Sequence, residues 1–288
     1  MQLLKLMRIK QWAKNIFVYT GLIFSEKYND IHFLIAVTLA AIAFSFVSSS
    51  VYVINDIVDR DSDKMHPKKR YRPLAAGTVS ITAAVILAAA LFIGGLGLGY
   101  YVSPAVACII LVYVVINTLY SFKLKNIVIL DVFCISAGFM LRIFAGTIGV
   151  GIPPSKWLLL CGLMITLFLG FAKRRAELIA FSSSGTKPRQ VLQNYGGLLL
   201  DELIAICATG VIIGYSLYTM DPETVLVHKT QSLIYTVPFV IYALFRYIYI
   251  LHHGEKAEDP STDIFTDKHI LVSVIAWAGM TLFIFTAK

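Results

Sequence analysis

Apolar runs of about twenty residues recur from one end of this chain to the other, and they limit its possible folds more than any other feature. A helix rises about 1.5 Å per residue, so roughly twenty such residues match a hydrocarbon layer of about 30 Å. Inside that layer the backbone must satisfy its own polar groups, which helices do within one segment. Candidate spans fall at about 10–25, 31–54, 79–101, 105–122, 127–149, 156–173, 197–219, 232–251 and 269–286. The expected fold is therefore all-α: a polytopic membrane protein with a bundle of nine transmembrane helices, forming one domain over residues 1–288. Its polar loops are expected at about 55–78, 123–126, 174–196 and 252–268. Hydrophobic residues make up 58% of the chain and charged ones 15%, with a mean hydropathy of +0.75, which excludes an ordinary soluble domain.

The formal charge of +8 says less than where the cations lie. If the N-terminus is cytoplasmic, only Lys27, Lys156, Lys229 and Lys288 fall on the far side, and the other loop cations face the cytoplasm. The N-terminus, with Lys5, Arg8, Lys10 and Lys14 before a short apolar run from Ile16 to Phe24, superficially resembles a secretory leader. It lacks a small-residue cleavage site and is read as an interfacial stretch, with Trp12 at headgroup depth, leading into the first span. Cys108, Cys134, Cys161 and Cys207 lie in apolar runs without C-x-x-C spacing, and no H-E-x-x-H pattern occurs. Neither a disulfide framework nor a zinc site is indicated. The partners expected are the bilayer and anionic small molecules or lipids, not nucleic acid, with a homo-oligomer left open.

The main polar interruption is N-D-I-V-D-R-D-S-D-K-M-H-P-K-K-R-Y-R, from Asn55 to Arg72. At about 100° per residue, Asn55, Asp56, Asp59 and Asp63 share one arc of a helix end, and Asp61 points the other way. Like charges at that spacing repel, so the arrangement calls for a cation. Mg²⁺ suits hard oxygen ligands and is usually held by one or two carboxylates together with substrate phosphates. Lys64, Lys68, Lys69, Arg70 and Arg72 follow at once and suit phosphate oxygens. The pattern reads as a metal-diphosphate site; the plain alternative is a solvated cytoplasmic loop.

Other candidates are scattered. Arg142 sits mid-span, where a charge needs a partner or a polar cavity. It either pairs with an acid, caps broken backbone, or holds the head group of an anionic lipid. Tyr120, Lys123 and Lys125 follow one span, Asp131 begins the next, and K-R-R-A-E-L from Lys173 follows another. The serines at 45, 48, 49 and 50 read as small-residue packing.

Asn55 to Asp63 resembles the N-D-x-x-D-x-x-x-D signature of the UbiA superfamily of intramembrane prenyltransferases. R-I-K-Q-W-A-K-N at Arg8, H-P-K-K-R-Y-R-P-L-A-A-G ending at Gly77, Y-S-F-K-L-K at Tyr120, A-G-F-M-L-R ending at Arg142, K-R-R-A-E-L and E-D-P at Glu258 are similar to its decaprenyl-phosphate phosphoribosyltransferase branch. Where most of the superfamily carries a second Asp-rich motif, this chain offers only Glu177.

The resemblance implies a Mg²⁺-dependent transfer of 5-phosphoribosyl from 5-phosphoribosyl 1-diphosphate to a polyprenyl phosphate, with release of pyrophosphate. Mg²⁺ would sit on Asn55 and Asp59, with Asp56 or Asp63 assisting. Lys14, His66, Lys69, Arg70, Arg72, Tyr120, Lys173 and Arg174 would bind donor phosphates, and Lys125 and Arg142 the lipid phosphate. Two other readings compete. One is an enzyme joining an isoprenyl diphosphate to an aromatic or other small acceptor. The other is a cation-coupled transporter, disfavoured because its acids would lie near the midplane and not at one face.

Overall fold

Among the described residues, eight helices are long and apolar enough to cross a membrane. The computed structural model describes residues 2–25, 27–65, 69–184, 190–253 and 267–286. The expectations for His66 and for the acidic stretch at Glu258 fall outside them. The long helices are α1 (Ile31–Val58), α2 (Ile81–Val102), α3 (Pro104–Phe122), α4 (Leu130–Ala145), α5 (Lys156–Ser184), α6 (Gly197–Met220), α7 (Val237–His253) and α8 (Lys268–Thr286). The chain is a multi-pass integral membrane protein.

Residues 10–25, expected as the first of nine spans, do not form one continuous α-helix. They form a tight 3-10 segment, Ile9–Tyr19, and a short helix, Thr20–Phe24. Their polar side chains are engaged sideways: Tyr19 donates to Thr38 (3.2 Å), Asn15 to Ser45 (2.7 Å) and Trp12 to Ser49 (2.9 Å). Ser49 in turn donates to the carbonyl of Met7 at 2.8 Å. A segment bonded at these points along α1 is a strap laid on a helix.

The helices start where capping chemistry allows. Asp30 accepts from the backbone of His32 (2.9 Å) to begin α1, and Ser80 from Ala83 (3.2 Å) to begin α2. Pro104 opens α3, with Ser103 accepting from Val106 at 3.0 Å.

The chain divides into two compact units. The first comprises residues 1–122 and 138–154. In it α1 and α2 pair along their length, and α3 packs on both. Phe44, Val47, Ile110 and Tyr113 lie in its core. The second comprises residues 123–137 and 155–288. There α5 pairs with α6 and α7 with α8, around Phe168, Phe171, Leu200, Ile204 and Tyr247.

Gly146 sets how closely the strap approaches in the first unit. A Cβ there would overlap the backbone carbonyl of Val18, which cannot move aside as a flexible side chain could. Gly146→Ala is therefore expected to cost about 1–3 kcal/mol, the usual range for overpacking. The thermal unfolding midpoint of the purified protein measures it. Gly94→Ala, where a Cβ meets nothing within 4 Å, should leave the midpoint unchanged or slightly higher.

Candidate active site

The end of α1 carries the acidic motif. Regular helix stops at Val58, but the hydrogen bonds continue: Asp59 N–H donates to Asn55 (2.9 Å) and Asp63 N–H to Asp59 (2.8 Å), leading into the short helix Arg60–Lys64. Asp56 and Asp63 are 3% and 2% exposed. Arg72 Nη1 donates to both, at 3.1 Å to Asp56 Oδ1 and 2.7 Å to Asp63 Oδ2. Asp61 stands outside, 87% exposed and paired with Lys64 at 2.8 Å. That hydrogen bond holds its carboxyl below the usual range.

Arg72 reaches the motif because the chain after it folds back tightly. Ala76 N–H donates to the Arg72 carbonyl (2.8 Å), and Thr78 donates to the carbonyl of Pro73 through its N–H (3.0 Å) and its hydroxyl (3.1 Å). Gly77 takes φ +70°, which suits glycine. Leu74 is then buried with Leu6, Val53, Ala84 and Ala88, fixing the loop by apolar burial. Lys69 Nζ stands 3.9 Å from Asp63 Oδ1. Arg70 lies over the Tyr71 ring and donates to its hydroxyl at 2.9 Å.

Two residues of the strap complete this side. Arg8, read from sequence as an inner-face cation and as the start of R-I-K-Q-W-A-K-N, donates to Asp56 Oδ1 and lies 5.0 Å from the centroid of the Tyr52 ring. Its partner is 48 positions away, which no local pattern reveals. Lys14 is on the strap, half-buried, and Tyr120 is on the last turn of α3. Ser121 Oγ lies 3.2 Å from Asn55 Oδ1.

Arg142, expected to meet an acid, broken backbone or a lipid head group, is 4% exposed. It donates to Asn15 Oδ1 (2.7 Å), to the carbonyl of Gly138 one turn back (2.6 Å) and to Tyr113 Oη (3.4 Å). The rings of Phe44, Tyr113 and Phe139 surround it at 4.9–5.6 Å. Neutral acceptors and aromatic faces thus hold the charge, and it fastens the strap to α4. A lipid phosphate there is not carried forward.

The second unit has a separate buried cluster. Arg174, 1% exposed, donates to Asp131 Oδ2 and Glu177 Oε2, both at 2.6 Å. Tyr195 donates to Asp131 Oδ1 (2.7 Å) and accepts from the N–H of Ile129 (2.6 Å). Burial first, and then the Asp131 carboxylate, push the Tyr195 phenol above its ordinary range. Ile129 has φ +69°, a strained value for a β-branched residue, and the Tyr195 hydroxyl helps hold it. Arg174 is thereby a structural cation, and the expected contact with the donor 5-phosphate is not carried forward. Lys173 is exposed beside it, and Lys125 is half-buried on the turn Leu124–Asn126. Arg175 grips Asp201 with two hydrogen bonds, at 2.8 and 3.1 Å.

No group of three or more His, Cys, Asp or Glu side chains is arranged to hold a metal among the described residues. Among those residues the motif offers no cage made wholly by protein. Asn55 and Asp59 supply hard oxygens, and the Asp59 carboxylate makes no side-chain hydrogen bond among the described residues. That donor set fits Mg²⁺ arriving with a phosphate, which needs one or two carboxylates from the protein.

Comparison with known proteins identifies relatives by sequence and by fold. A family model described as the UbiA prenyltransferase family matches residues 15–178. The decaprenyl-phosphate phosphoribosyltransferase of Corynebacterium glutamicum is 33% identical over 288 aligned residues, covering 96% of this chain and 84% of that protein. The enzyme of the same name from Mycolicibacterium smegmatis is 30% identical, covering 96% of this chain and 90% of that protein. The structure of a UbiA homologue from Archaeoglobus fulgidus bound to GPP and Mg²⁺ superposes with a TM-score of 0.71 at 18% identity, covering 99% of this chain and 97% of that one. That likeness concerns the fold. By sequence along more than half its length, the chain belongs to the UbiA prenyltransferase family.

Proposed function

We propose that this protein transfers the 5-phosphoribosyl group of 5-phosphoribosyl 1-diphosphate to a polyprenyl phosphate of decaprenyl type. Pyrophosphate is released, Mg²⁺ is the cofactor, and the reaction takes place at the cytoplasmic face of the inner cell membrane. The charge balance around the acidic motif carries the reading. Both buried carboxylates of the motif are already matched by Arg8, Arg72 and Lys69. In the place of a second Asp-rich motif, Glu177 is engaged by Arg174. A site so rich in cations suits a donor with a 5-phosphate besides its diphosphate, and an acceptor that is itself a phosphate. The relatives named above support the same donor and acceptor by their likeness over nearly the whole chain.

In the reaction the bond between C1 of the ribose and the diphosphate oxygen breaks, and its electron pair leaves with pyrophosphate. C1 gains oxocarbenium character, as in other glycosyl transfers. An oxygen of the lipid phosphate then forms the new bond to C1. That oxygen is already anionic at neutral pH, so no strong general base is required. Asn55 and Asp59 would hold Mg²⁺, which when bound neutralises charge on the leaving group. Lys69, Arg70 and Arg72 bind diphosphate oxygens, with Lys14 and Tyr120 assisting from the same unit.

The test supplies purified protein with labelled phosphoribosyl diphosphate and decaprenyl phosphate, and in parallel with an isoprenyl diphosphate and an aromatic acid. Label is expected in the lipid fraction of the first mixture only. A prenylated aromatic product with an unlabelled lipid would overturn the reading.

A further inference from the structure

We propose a division of labour within the acidic motif. Asp56 and Asp63 are positioning residues that hold two arginines in place, and Arg8 of the N-terminal strap is a further ligand for the diphosphate of the donor. The inference rests on the reading above only in taking the donor to be a diphosphate.

Three cations touch two carboxylates here, leaving one positive charge in surplus. Asp56 and Asp63 are almost wholly buried, and their contacts are guanidinium groups and an ammonium. Bringing a hydrated divalent ion to them means prying those cations away, which strands buried charge. Asp59 is under no such claim among the described residues. Metal binding therefore falls to Asn55 and Asp59, and the two buried acids serve another purpose.

That purpose is legible in the donors they leave over. A guanidinium has five N–H donors in a fixed fork. Arg8 spends Nη2 on Asp56, and Arg72 spends Nη1 on Asp56 and Asp63. Both side chains remain 29% exposed, so each keeps N–H groups for a further anion. Forked donors of this kind suit phosphate oxygens better than an ammonium does.

Arg8 is also held in place before any ligand arrives. Its backbone is left-handed, φ 51° and ψ 51°, a conformation that persists in a non-glycine residue only when its surroundings enforce it. Those surroundings are the Tyr52 ring, the Asp56 carboxylate one turn later on α1, and the row of bonds from Ser49, Ser45 and Thr38 to the strap. A cation fixed in advance binds without the entropy cost of ordering it.

The experiment measures binding of inorganic pyrophosphate with Mg²⁺ to the purified full-length protein, and steady-state kinetics with phosphoribosyl diphosphate. Arg8→Gln should weaken pyrophosphate binding about tenfold or more and raise the donor KM similarly, without moving the Mg²⁺ half-saturation. Arg8→Lys should recover part of the loss. Asp56→Asn should give the same signature, and the double variant should add little to either, as expected of one interacting unit. Asp59→Asn should move the Mg²⁺ dependence instead. Undiminished pyrophosphate affinity in Arg8→Gln, or a shifted Mg²⁺ half-saturation in Asp56→Asn, would overturn the proposal. If Arg8→Gln does not fold, Arg8→Lys decides: wild-type affinity there counts against a forked contact, and weaker affinity supports it. If the wild type fails to use phosphoribosyl diphosphate yet the pyrophosphate results hold, the donor assignment falls and the role of Arg8 stands.

Discussion

Asp59→Ala is expected to lower Mg²⁺-dependent turnover by about a thousandfold or more, the scale on which removing a metal ligand weakens charge stabilisation in the transition state. Asp61→Ala, two residues on, should keep most of the activity. The two carboxylates differ in surroundings more than in chemistry. Asp59 stands at the end of α1, one turn after Asn55, and its oxygens are unclaimed by side chains among the described residues. Asp61 is exposed and tied to Lys64, where an ion pair contributes little. Turnover against Mg²⁺ concentration separates the outcomes: Asp59→Asn should need far more Mg²⁺ than wild type, and Asp61→Ala should match it. Equal loss in Asp59→Ala and Asp61→Ala would show that the assignment of faces is wrong.

The second large effect is on stability. Asp131→Ala is expected to destabilise the protein by about 3–5 kcal/mol, because breaking a buried pair leaves an uncompensated charge. Arg174 would keep Glu177, which is 26% exposed, but lose its fully buried partner. Tyr195 would lose the acceptor of its hydroxyl while still accepting from the strained Ile129. Asp131→Asn should fall between, since an amide oxygen can still accept from Tyr195. As a comparison, Asp201→Ala removes a half-exposed pair with Arg175 and should cost about 1 kcal/mol or less. Thermal unfolding of the purified variants reads all three. A wild-type midpoint for Asp131→Ala would mean that the cluster is already open to water.

Apolar runs made the eight long helices legible, because a bilayer-spanning segment has few alternatives to a helix. The same signal said nothing of how residues 10–25 are held. Hydropathy registers Ile16 to Phe24 as greasy but does not register that Trp12, Asn15 and Tyr19 are matched to hydroxyls on α1. The serines that looked like packing are half of that matching, and Ser50 donates to the carbonyl of Ala88 on α2 at 2.8 Å. Helical spacing alone was enough to set Asp61 apart from Asp56 and Asp63. It could not name their partners, since Arg72 arrives through a turn fixed by Gly77 and Leu74, and Arg8 from the start of the chain. Arg142 illustrates the same limit. Its depth in a span showed that something must hold it, but a cage of three rings and neutral acceptors draws on residues scattered from Asn15 to Phe139.

The most direct test of the central claim follows release of pyrophosphate from phosphoribosyl diphosphate by purified protein with decaprenyl phosphate, before and after Mg²⁺ is chelated. The account predicts pyrophosphate in step with labelled lipid, both abolished by chelation and both restored when Mg²⁺ is added back. Turnover that continues undiminished with all divalent metal removed would contradict it.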